Sequence, residues 1–117
     1  MRTRRRSGWK VVTHAWQRCT GYTGVIVPTV VYQKGVIAKR PLDAGPLCVF
    51  TSLKEAREFA PPAASYIFRC LYVPSKDTHV WRGCSRRRRH LAELPHSTAL
   101  ADTVELVGEP IEIGGDR

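Results

Sequence analysis

Five arginines and a histidine fall within nine positions in the segment "RGCSRRRRH", residues 82 to 90. Guanidinium forks match phosphate oxygens bidentately, and each phosphate neutralised releases counterions, so this spacing predicts salt-sensitive, largely sequence-independent grip on a polyanion. The candidate contacts are Arg82, Arg86, Arg87, Arg88 and Arg89. A second basic group, Arg4, Arg5 and Arg6, stands near the start of the chain, and Trp9, Trp16 and Trp81 offer faces on which exposed bases stack. The same residues would also serve as a solvated loop or as a patch that docks on an acidic protein.

Composition supports the polyanion reading. Nineteen Lys and Arg against ten Asp and Glu give a formal charge of +9, a field that favours nucleic acid, anionic lipid or an acidic partner. The chain has 117 residues, 43% hydrophobic and 25% charged, which fits one folded core and argues against wholesale disorder.

Other chemistries find little footing. Cys19, Cys48, Cys70 and Cys84 form no CxxC pair, and neither His14 with Cys19 nor Cys84 with His90 has the spacing of a zinc knuckle or ribbon, so no metal is expected. No P-loop, GxGxxG or activated-nucleophile frame is present, and no cofactor or catalytic residue is expected. The opening "MRTRRRSGWK" lacks an apolar segment behind its charge, and no apolar run approaches the ~20 residues that span a bilayer. A soluble, cytoplasmic protein is the expectation.

The elements that must hold these residues read as follows. Residues 1–7 form a basic arm, 8–113 a single α+β domain and 114–117 a frayed end. "WKVVTHAW" is β-branched and aromatic enough for a first strand. Pro28 interrupts the β-prone run from Val25 to Lys39, and Gln33, Lys34 and Gly35 mark a hairpin turn. Leu47 to Phe50 make a short strand, and Ser52 with Glu55 matches the capping box of a two-turn helix whose Leu53, Ala56, Phe59 and Ala60 share one face. Pro61 and Pro62 end it. "SYIFRCLYV" alternates, with Tyr66, Phe68, Cys70 and Tyr72 on one face and Ile67, Arg69, Leu71 and Val73 on the other, and both faces are apolar enough for a central strand. "THVWRG" allows a short strand, and "DTVELVGEPIEI" one or two more. The predicted fold is α+β: a small, strongly bent mixed or antiparallel sheet with one short helix packed on it.

The unit made of Gly45, Phe50, Thr51, Ser52, Ala56, Phe59, Ala60 and the strand Tyr66 to Val73 resembles the middle of ADP-ribosyltransferase-like domains. The order of elements, with a final strand running from Thr98 to Leu106, is also similar to small domains common in phage and archaeal-virus genomes. The first resemblance implies an NAD site with His14 on the ribose, Phe50, Thr51 and Ser52 shaping a nicotinamide groove, and one of Glu105, Glu109 or Glu112 polarising the attacking group. The second implies a viral accessory or anti-defence role. From the residues themselves, the reading is a non-enzymatic basic module that contacts nucleic acid or another polyanion. An ADP-ribosyltransferase-like enzyme or nucleotide binder, and a module docking on an acidic protein, are the alternatives.

Overall fold

The computed structural model describes residues 5–14, 22–24, 31–40, 45–60, 65–80 and 89–113. Chain order gives β1 (Arg6–His14), β2 (Tyr22–Gly24), β3 (Val31–Tyr32), β4 (Ile37–Lys39), β5 (Leu47–Phe50), α1 (Leu53–Phe59), β6 (Ser65–Pro74), β7 (His79–Val80), β8 (Arg89–His90), a 3-10 turn at Leu91–Glu93 and β9 (Thr98–Ile113). The result is a sheet-dominated α+β arrangement. Every pairing among the described residues is antiparallel, so the mixed alternative is not realised.

The seven-stranded sheet closes on itself. β6 pairs with β1 along one edge and with β9 along the other, β9 also pairs with β5, and β5 returns to β1 at the single pair Trp9↔Phe50. Closure pairs both edges of β5 and of β6, while β3 and β4 end the sheet with one partner strand each among the described residues. Gly8 makes the seam possible: a Cβ there would lie 2.8 Å from the Phe50 carbonyl oxygen and 3.0 Å from Cε1 of Tyr72. No side chain fits at that crossing.

Alternation along the strands sorts side chains between an interior and two outer clusters. Val12, Leu47, Val49, Phe68, Cys70, Tyr72, Ala101, Val104 and Leu106 fill the interior with Tyr32 and Ala38. Outside, Val11, Phe50 and Ile67 pack beneath Ala56, Leu53 and Phe59 of α1, as the sequence pattern predicts. Ser52 Oγ accepts the Glu55 amide at 3.3 Å, which supplies the expected cap, and the Phe50 and Phe59 rings lie 5.3 Å apart. The second outer cluster, Cys48, Val80, Leu94 and Leu100, seats the small β7–β8 hairpin against β5 and β9.

The last strand is one element of 16 residues, kept continuous by two irregularities in its pairing with β6. Val73 faces Thr103 while Pro74 faces Ala101, so Asp102 is an extra residue on β9. There the other edge of β9 changes partner from β5 to β4, and Arg40 binds the bulge by donating from its backbone to Asp102 O at 3.0 Å and from Nη1 to Asp102 Oδ1 at 3.2 Å. The bulge also shifts the alternation, so Ala99 and Ala101 face inward before it and Val104 and Leu106 after it. The second irregularity lies at Gly108, whose φ of 74° is a left-handed conformation natural to glycine.

Candidate polyanion interface

β7 and β8 pair only through His79↔His90 and Val80↔Arg89, and residues 81–88 join them. The arginine-rich segment is thus the connection of a hairpin with two residues per strand. Two paired residues are too few to hold such a hairpin in water, so its position rests on tertiary anchors. Val80 is 3% exposed against Cys48 and Leu100, and Leu91 donates its amide to Thr78 O at 2.8 Å. His90 Nδ1 accepts the Ala92 amide at 2.9 Å, capping the 3-10 turn, and its ring meets His79 edge-on at 4.9 Å. On the preceding side, Ser75 Oγ accepts the Asp77 amide at 3.0 Å and the Ser75 amide reaches Leu100 O at 2.9 Å.

Arg89 is the described member of the cluster: it is exposed, pairs across the hairpin with Val80, and forms no ion pair among the described residues. Burial pushes the Cys48 thiol up from its ordinary value, and the charges of Lys10 and Arg89 oppose that rise. Arg82, Arg86, Arg87 and Arg88 lie outside the described residues.

Arg5 and Arg6, the described N-terminal arginines, are tied to the sheet where a free arm is expected. Arg4 lies outside the described residues. Arg5 Nη2 donates to Glu105 Oε1 at 2.5 Å, so its guanidinium is already engaged by the protein's own carboxylate. β1 starts at Arg6, opposite Tyr72, where strand pairing with β6 carries the backbone two residues further toward the N-terminus than residue 8. Arg6 is exposed and keeps its place as a candidate contact. Arg5 does not.

Phe50, Thr51 and Ser52 of the alternative groove each have a place in the fold. Phe50 is 2% exposed beneath α1, Ser52 Oγ caps that helix, and Thr51 donates its amide to Ser97 O at 2.9 Å. His14 ends β1 opposite Tyr22, and its backbone alone is described. Of the late glutamates, Glu105 meets Arg5 and Glu109 Oε2 meets Lys34 Nζ at 3.0 Å, while Glu112 is exposed on β9. Among the described residues no three His, Cys, Asp or Glu side chains gather as metal ligands, and no helix is long and apolar enough to cross a membrane.

Sequence reasoning missed one buried cation. Lys10 is 3% exposed, points into the interior beside Val12, donates from Nζ to the Cys48 carbonyl and lies 5.0 Å from the centre of the Tyr32 ring. The alternation of "WKVV" places Lys10 and Val12 on one face, which was the available signal.

Charge is distributed unevenly. The described segments carry eleven of the nineteen Lys and Arg and eight of the ten Asp and Glu, which leaves +3 there and +6 on the rest. Residues 81–88 contain four arginines and no acid. No known family, curated protein or solved structure matches the chain.

Proposed function

We propose that the protein is a non-enzymatic basic module that contacts a polyanion, nucleic acid being the class intended, through the connection between β7 and β8. One observation carries this reading: a segment with four arginines and no acid is rooted at both ends on the core by Val80 and Leu94, with Arg89 exposed at its base and outside every ion pair among the described residues. A segment tied down at both ends spends less conformational entropy on ordering its cations against phosphates than a free arm does. Arg6 supplies a supplementary contact. A viral accessory or anti-defence role is compatible with such a module and is what the resemblance in element order implies.

Gel-shift titration with duplex DNA and with single-stranded RNA tests the reading, comparing wild type with the variant Arg86→Ser, Arg87→Ser, Arg88→Ser, Arg89→Ser. The wild type is expected to bind with strong salt dependence and the variant to lose most of its affinity. Equal binding by the two proteins would remove the proposed interface. Binding to an acidic protein alone would replace the partner class.

A further inference from the structure

Both faces of β6 are largely apolar, and the fold treats them differently. Phe68, Cys70 and Tyr72 on the inner face are buried in the core. On the outer face, α1 packs over Ile67 together with Val11 of β1. Beyond that cover the same face carries Arg69, which is exposed, and Leu71, which is partly exposed. Arg69 is the single charged residue of the strand.

Register fixes what stands around it. Trp9 of β1 and Val107 of β9 are the direct partners of Arg69, and two residues on, Ser7 and Glu105 flank Leu71 in the same way. Residues directly opposite in a sheet share a face, with Cβ atoms about 4.5–5.5 Å apart. Trp9 packs at the margin of the α1 cluster and remains partly exposed, as does Val107. Ser7 Oγ accepts the Arg69 Nε–H at 3.3 Å, which ties the guanidinium to the sheet at Nε, and its Nη groups carry the remaining N–H donors. Glu105, the acid beside Leu71, is paired with Arg5, so the surface keeps a net positive charge.

An indole and two aliphatic side chains around a held cation complement a partner with flat apolar faces joined by negative charge. Single-stranded nucleic acid has that chemistry: unpaired bases stack on aromatic side chains while cations track the phosphates. A duplex keeps its bases inside, and bringing one out costs unstacking energy. Arg69 stands five residues before Pro74, the end of β6, and thus about 17 Å from the root of the β7–β8 hairpin, a span that a short oligonucleotide covers.

We propose that the outer face of β1 and β6, at the margin of α1, binds the unpaired bases of a single-stranded nucleic acid, with a base on Trp9 and a phosphate at Arg69. This rests on the nucleic-acid reading and narrows it to the single strand.

The test is fluorescence anisotropy of a labelled oligothymidylate and of a duplex of the same length, titrated with wild type, Trp9→Leu, Arg69→Gln and the variant with Arg86 to Arg89 replaced by serine. Trp9→Leu keeps an apolar side chain beside α1 and Arg69→Gln alters an exposed position, and a thermal melt checks that each remains folded. The wild type is expected to prefer the single strand, and Trp9→Leu and Arg69→Gln each to lose about five-fold or more of that affinity with duplex binding little changed. Single-strand affinity unchanged in both variants overturns the inference, as does equal loss toward single strand and duplex. Irradiation of the wild type with an iodouracil-containing oligonucleotide gives a readout that needs no substitution: adducts are expected on β1 or β6, and adducts confined to other segments overturn it. Loss in the serine variant alone leaves the arginine-rich interface standing and removes this face; wild-type binding by that variant, with Trp9→Leu and Arg69→Gln weakened, does the reverse.

Discussion

At Gly8 the two ends of the strand circuit approach so closely that a methyl group would meet a carbonyl oxygen at 2.8 Å. Backbone cannot retreat there without opening the Trp9↔Phe50 pair. Gly8→Ala is therefore expected to cost about 1–3 kcal/mol, visible as a lower urea midpoint with unchanged slope. A second residue-scale prediction concerns alkali. Burial pushes the Cys70 thiol up to about 12 from 9.0, and it also raises the Cys48 thiol and the Tyr32 hydroxyl. The unfolded chain releases these protons first, so stability is complete below about pH 9 and falls as pH rises toward the folded values. Cys70→Ala should flatten part of that decline in urea titrations between pH 8 and pH 11. A slope identical to wild type would assign the alkaline loss elsewhere. The same burial predicts that Cys48 and Cys70 resist alkylation at neutral pH until the protein is unfolded, which mass spectrometry after iodoacetamide treatment would read.

Among the elements, the β7–β8 hairpin has the least internal support and the largest part in the proposed function. Val80→Ala removes no charge, yet it takes two methyl groups from the cluster that seats the hairpin on Cys48 and Leu100. The expected result is a several-fold loss of nucleic-acid affinity at constant net charge, measured by fluorescence anisotropy, with salt dependence close to wild type. Unaltered affinity would mean that the arginines act without an anchor. Much of this level was legible in the sequence. The two-faced alternation of β6, the Ser52 cap and the turn at Gly35, where Val36 donates to Gln33 O at 3.0 Å, are local patterns with local causes. Less legible was the single long β9, because "DTVELVGEPIEI" contains Gly108 and Pro110, which read as interruptions. In the fold, an irregularity at Gly108 and a bulge at Asp102 let one strand carry three partners.

For the whole molecule, the governing quantities are net charge and the order in which strands meet. If Arg82 and Arg86 to Arg89 each neutralise one phosphate of duplex DNA, the logarithm of affinity falls with the logarithm of salt at a slope of roughly −4.5. Replacing Arg86 to Arg89 should then reduce the slope by roughly 3.6, a change that titrations at several salt concentrations resolve. The placement of the basic residues was only partly readable in advance for the same global reason. The engagement of Arg5 depends on Glu105, 100 residues away, and no local pattern encodes a pairing between the first strand and the last.

That long final strand has a bearing on synthesis. β4, β5 and β6 all take β9 as a neighbour, yet β9 follows every one of them in the chain. While the ribosome is still making it, the earlier strands have unsatisfied edges, and the core lacks the side chains of Ala101, Val104 and Leu106. Folding of this protein must therefore wait until β9 has been made, and until then the unpaired edges of β4, β5 and β6 leave the nascent chain most prone to stray associations.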